Sequence, residues 1–203
     1  MIPRFPGVPR GSVRKADLCH NEDMHKFRLA DPKNLRSRSN RGASESVRIY
    51  EWAHPWDNHC GVGLAWTNPQ CWLRKDLNEL RSLFGNDPEA FFVTATLAGH
   101  LREYLEQASL GELSSKEATA CKSQPGVAEI RLPIPYRINS RQFLVRLYYG
   151  EPAEWGGMVS LCLGAKENSD NWKEQQNVSI SLAQNRGESW LINWRSGNTS
   201  EGG

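Results

Sequence analysis

Two hydrophobic periods alternate along residues 47–186. Residues 47–52, Val-Arg-Ile-Tyr-Glu-Trp, alternate apolar and polar side chains and predict a first strand. Over 72–84 the period lengthens, with Leu73, Leu77, Leu80 and Phe84 at helical spacing. Gly85-Asn86-Asp87-Pro88 ends that helix and starts another, Asp87 serving as N-cap and Pro88 as first helical residue. The second helix runs to about residue 109 on a stripe of Phe91, Ala95, Ala98, Leu101, Leu105 and Ala108. A connection this short predicts antiparallel packing of the two. His100 sits beside the stripe as a helix-surface histidine.

Residues 111–126 are polar and read as a connection; 127–132 alternate again, and Pro133 and Pro135 stop that strand. Residues 136–141 turn into a hairpin made of 142–149 and 158–163, with a turn-rich Gly150 to Gly157 between them. Residues 168–186 read as a last helix, capped by Asp170 or Asn171, with Trp172, Gln176, Ile180 and Ala183 near one face. The order predicts an α+β domain over 47–186: two N-terminal helices packed on a small antiparallel sheet, with a C-terminal helix. Residues 187–203 form a tail whose Trp190, Leu191, Ile192 and Trp194 either add an edge strand or pack on the sheet.

Charge separates the first 46 residues from the rest. Residues 1–45 hold ten Lys/Arg and five Asp/Glu, net +5; the remainder holds fifteen against eighteen, net −3. The first segment is rich in Pro, Arg, Ser and Asn and lacks periodicity, so residues 1–46 read as a disordered basic arm. Such an arm can dwell near nucleic acid or an anionic surface. No apolar run approaches the roughly 18 residues a membrane helix needs, and the start of the chain lacks the apolar core of a secretory signal. Five irregularly spaced cysteines make no disulfide framework and point to a reducing cytoplasm. His54, His59, Cys60 and Cys71 are zinc-ligand types, yet no CxxC or HxxxH pair occurs among them. The expectation for 53–71 is an aromatic-rich connecting loop, with no metal and no cofactor.

The words Glu129-Ile130-Arg131, Val145-Arg146-Leu147-Tyr148-Tyr149 and Leu161-Cys162-Leu163-Gly164-Ala165-Lys166-Glu167 follow two helices and precede a helix spaced with Gln, Ala and Arg. This order resembles the RelE/ParE toxin superfamily, closest to its HigB-like, phage-derived host-killing branch. The resemblance covers residues 72–186; the basic arm and the Trp/His/Cys loop have no counterpart in the compact family pattern. It implies the toxin of a type II toxin–antitoxin system, a ribosome-dependent mRNA endonuclease silenced by an antitoxin protein. The implied chemistry is metal-free attack of the RNA 2′-hydroxyl on the adjacent phosphate. A non-enzymatic alternative is a gyrase-inhibiting or inactive interaction protein of the same fold.

Residue chemistry narrows the candidates. A phosphorane-like transition state gathers negative charge that fixed cations stabilise, and a guanidinium stays charged and can hold two phosphate oxygens. Arg131, Arg146 and Lys166 are the catalytic candidates, Lys166 matching the family's lysine after the strand. Arg141 and Tyr148 are the RNA-binding candidates, the tyrosine by stacking on an unpaired base. No histidine lies in 127–186, so proton transfer falls to Lys166, a tyrosine or a carboxylate such as Glu167. Trp172 and Lys173 read as packing residues. From 127 to 186 there are seven Lys/Arg and six Asp/Glu, so no broad basic field is expected.

Overall fold

The computed structural model describes residues 49–199 apart from 87 and 154. The basic arm, the first two residues of the predicted first strand and the Asp87 cap lie outside the described residues. The architecture is α+β, in three layers around one six-stranded sheet.

The predicted helices form at α1 (Trp72–Phe84) and α2 (Pro88–Leu110). Leu73, Leu77, Leu80 and Phe84 are all buried, as their spacing requires. Cys71 caps α1, its Sγ accepting from the Arg74 amide and donating to the Trp66 carbonyl. Gly85 closes the helix at φ 116°, a conformation that a Cβ would oppose. His100 joins α2 to the sheet through the Tyr136 hydroxyl at 2.8 Å.

The strands are β1 (Trp52–Ala53), β2 (Ala118–Ala120), β3 (Ala128–Arg131), β4 (Tyr136–Ile138), β5 (Arg141–Gly150) and β6 (Met158–Glu167). Their order is β1-β6-β5-β3-β2, with β4 also paired to β5. Four expectations need correction. The first strand, expected over 47–52, is among the described residues confined to Trp52–Ala53. The sheet is mixed rather than antiparallel, because β1 runs parallel to β6 through Trp52 opposite Met158. The polar connection over 111–126 contains β2, which pairs with β3. Residues 136–138 are a strand, closed onto β5 by Asn139 and Ser140, both at positive φ, the conformation a two-residue hairpin needs to match strand twist.

Period two sets the faces. Phe143, Val145, Leu147 and Tyr149 of β5 pack with α1 and α2 in one core. Tyr148 joins Leu161 and Cys162 of β6 in a second core under α3 (Trp172–Thr199). A bulge lets adjacent residues of β6 share that second face: Tyr148 opposes Cys162, but Tyr149 opposes Ser160, leaving Leu161 as the extra residue.

Helix α3 continues through Thr199, so the tail expected from residue 187 is helical over 187–199. Its buried stripe is Ile180, Ala183, Trp190 and Leu191. Gly187 costs about 1 kcal/mol in a helix interior, whereas burying Leu191 alone contributes about 1.5–3 kcal/mol. Trp190 stacks on Trp194 at 5.4 Å and donates to the Cys60 carbonyl, which ties the helix to the 53–71 loop.

One ion pair bridges the outer layers at the β6 edge. Asp76 of α1 accepts two bonds from Arg186 of α3, at 2.7 and 2.9 Å, and one from the Leu163 amide at 2.8 Å. Arg186 also donates to the Leu161 carbonyl at 2.9 Å. Strand β1 covers β6 only at its start, so this pair occupies main-chain groups on the edge β1 leaves open.

Candidate anion-binding cleft

Antiparallel register decides which side chains meet. Arg131 of β3 lies opposite Arg146 of β5, and Glu129 lies opposite Tyr148. On the other side of β5, Arg146 opposes Gly164 and Leu144 opposes Lys166. Opposed residues share a face, and diagonal neighbours lie about 7–8 Å apart. Glu129, Arg131, Arg146 and Lys166 therefore project together towards the N-terminal turns of α3.

They line a cleft of about 460 Å³ with Lys122 and Ser123 from the β2–β3 turn and Trp172, Lys173 and Gln176 from α3. Five basic side chains (Lys122, Arg131, Arg146, Lys166 and Lys173) face one carboxylate, Glu129. The near-balance of charge over 127–186 conceals this local excess of four positive charges. Sequence order hid it because the compensating acids Glu151, Glu167, Asp170 and Glu174 do not line the cleft.

Glu129 is 3% exposed. It accepts from Arg131 Nε at 2.8 Å, from Arg146 Nη1 in a short contact, and from Gln176 Nε2 at 3.3 Å. A buried carboxylate needs such partners. The acid aims both guanidinium groups while each keeps further N–H donors for a ligand. Lys166 Nζ sits 4.0 Å from the centre of the Trp172 ring and 3.5 Å from Gln176 Oε1. Burial and the neighbouring Arg146 hold its pKa below the ordinary lysine value, with Glu129 opposing them.

Local sequence explains the close fit of helix to sheet. Gly164 lies opposite Arg146, and a Cβ there would come within 2.5 Å of Ser179 Oγ and 2.8 Å of Ser179 Cβ. Glycine lets α3 approach the strand at that point. Gln175 Oε1 accepts from the Glu167 amide at 2.9 Å, tying the first turns of α3 to the end of β6.

Of the sequence candidates, Arg131, Arg146 and Lys166 are brought together. Arg141 and Tyr148 are not part of the cleft. Arg141 lies an odd number of residues from Arg146 and pairs with Glu167 at 2.8 Å, its guanidinium over the Phe143 ring. That same pairing occupies Glu167, the carboxylate considered for proton transfer. Tyr148 shares the cleft's face but is 1% exposed beneath α3. Burial pushes its phenol pKa up, Glu129 adding to the effect, and the ring cannot stack on a base. Sequence reasoning missed Glu129, Lys122 and Gln176 as cleft residues. Period two was the available signal for Glu129, two residues before Arg131. Trp172 and Lys173, read as packing, line the cleft, with Trp172 37% exposed at its edge.

The zinc-type residues of the 53–71 loop have separate contacts. His54 is buried against Ser160 Oγ at 2.9 Å, His59 stacks on Trp56 at 3.8 Å, and Cys71 caps α1. Among the described residues no three His, Cys, Asp or Glu side chains are grouped to hold a metal ion. No helix among them is long and apolar enough to cross a membrane. Comparison with family models, curated proteins and solved structures returns no match.

Proposed function

We propose that the cleft is the active site of a phosphodiester-cleaving endoribonuclease. The particular reading is a RelE/HigB-like toxin that cuts mRNA on the ribosome in the cytoplasm and is silenced by an antitoxin protein. The observation that carries it is the convergence of Arg131, Arg146 and Lys166 on one face of the sheet, around one buried carboxylate.

In this mechanism Arg131 and Arg146 hold the non-bridging phosphate oxygens and offset the charge that develops there. Glu129 fixes their direction. Lys166, in its amine form, takes the proton of the 2′-hydroxyl; O2′ bonds to phosphorus and the bond to O5′ breaks. The ammonium then returns the proton to O5′, leaving a 2′,3′-cyclic phosphate and a free 5′-hydroxyl. The lowered pKa of Lys166 enlarges its amine fraction near neutrality, which favours this role. Trp172 offers an aromatic surface at the cleft edge for an unpaired base.

Induced expression tests the reading. Growth arrest with cuts in translated mRNA is expected, and Arg146→Ala with Lys166→Ala should abolish both while circular dichroism shows a folded chain. Unhindered growth with intact transcripts refutes it. Gyrase inhibition without mRNA cleavage selects the non-enzymatic alternative.

A further inference from the structure

Gln176 projects from the second turn of α3 into the cleft and touches both of its central groups. Its Nε2 donates to Glu129 Oε2 at 3.3 Å, and its Oε1 accepts from Lys166 Nζ at 3.5 Å. The neighbours dictate this amide orientation. A flipped amide would put its NH2 against an ammonium and its carbonyl against a carboxylate, two repulsions in place of two attractions.

We propose that Gln176 is a positioning residue for the cleft, its single amide coupling the Glu129 carboxylate to the Lys166 amine and holding that nitrogen beside the anion seat. The inference deepens the endonuclease reading and rests on it for the reaction that Lys166 performs. Two further contacts restrict the lysine. Trp172, one helical turn before Gln176, lies 4.0 Å from Nζ. Gln175 pins the helix to β6 through the Glu167 amide. Helix α3 thus delivers an aromatic face and an amide to the same ammonium, while β3 and β5 supply the charges.

The charged groups around Lys166 are Glu129 and Arg131 from β3, Arg146 from β5, Lys122 from the β2–β3 turn and Lys173 from α3. Four of these five neighbours are cations, so the carbonyl of Gln176 adds an acceptor for the protonated lysine where few exist. Removing it disfavours the charged form; replacing it with a carboxylate favours that form.

The test uses the full chain with carbon-13 label in its lysines, the Lys166 Cε resonance being assigned by its loss in Lys166→Arg. Gln176→Glu should move the Lys166 titration upward by about one pH unit, and Gln176→Met should move it downward. Gln176→Asn, a shorter amide that stops short of Nζ, should behave like the Met variant. Unmoved titrations in all three folded variants overturn the inference, whatever the protein does to RNA. If wild-type protein leaves mRNA intact, the endonuclease reading fails while the titration result stands. If mRNA is cut, the pH–rate profiles should follow the Lys166 titrations; profiles that stay fixed overturn the positioning role.

Discussion

Asp76→Ala is the perturbation whose cost follows most directly from the structure. Its carboxylate is 3% exposed and accepts two bonds from Arg186, whose side chain is 16% exposed, plus one from the Leu163 amide. Truncation leaves a guanidinium largely out of water with no counter-ion, and leaves the Leu163 N–H without its acceptor. Breaking a buried pair in this way costs about 3–5 kcal/mol, of which the orphaned amide accounts for about 1–3 kcal/mol. At this chain length that is a fall in Tm of roughly 6–20 °C. Lys75→Ala is the internal control. It removes the Lys75–Asp57 pair, whose side chains are 43% and 70% exposed, and should cost no more than about 1 kcal/mol. Urea melts followed by tryptophan fluorescence compare the two. Pairing Asp76→Leu with Arg186→Met should recover part of the loss, because no charge is then buried. Recovery stays incomplete, since main-chain groups of Leu161 and Leu163 still lose their partners. Equal costs for Asp76→Ala and Lys75→Ala would refute the reasoning.

Gly164→Ala should destabilise the fold by about 1–3 kcal/mol through overpacking against Ser179, and Ser179→Gly should restore much of it in a thermal melt. Ser140→Gly should stabilise by roughly 0.5–1 kcal/mol, because Ser140 holds φ 66° in a two-residue turn; a loss of stability in urea would contradict that. Burial lowers the His54 pKa from 6.5 to about 4. The unfolded chain therefore binds the extra proton first, and this contribution to stability is full above about pH 6.5 and is lost as pH falls towards 4. The loss is about 3 kcal/mol across that window; His54→Gln should flatten this part of a stability–pH curve measured by urea melts.

What the sequence disclosed follows from how local each signal was. Helix α1 was legible because four apolar residues sit on one stripe within 13 residues. Strand β2 was not: Ala-Thr-Ala carries little β propensity, and its pairing with β3 supplies the order. Strand β4 has only three residues, and its turn lacks the glycine that usually announces one. The continuation of α3 was readable, since Trp190, Leu191 and Trp194 extend the spacing begun by Ile180 and Ala183; Gly187 suggested a stop that tertiary packing overrides. Within the site, parity alone separates Arg141 from Arg146 and joins Glu129 to Arg131. Tyr148 has the right parity, and only the position of α3 reveals that it is covered. Lys122 and Gln176 reach the cleft from elements distant in sequence, which no spacing rule within 127–167 could disclose.

The extra residue at Leu161 separates the length of β6 from the chemistry at its end. Deleting Leu161 itself would straighten the strand with both registers kept: Tyr148 would still oppose Cys162, Tyr149 would still oppose Ser160, Trp52 would stay opposite Met158 and Lys166 opposite Leu144, at the loss of one buried side chain beneath α3. Past the bulge the ladder is regular, so deleting one residue between Leu163 and Lys166 would turn the amine towards the opposite helices. Chains descended from this one should therefore accept a shorter β6 at Leu161 while holding the count from Cys162 to Lys166 constant.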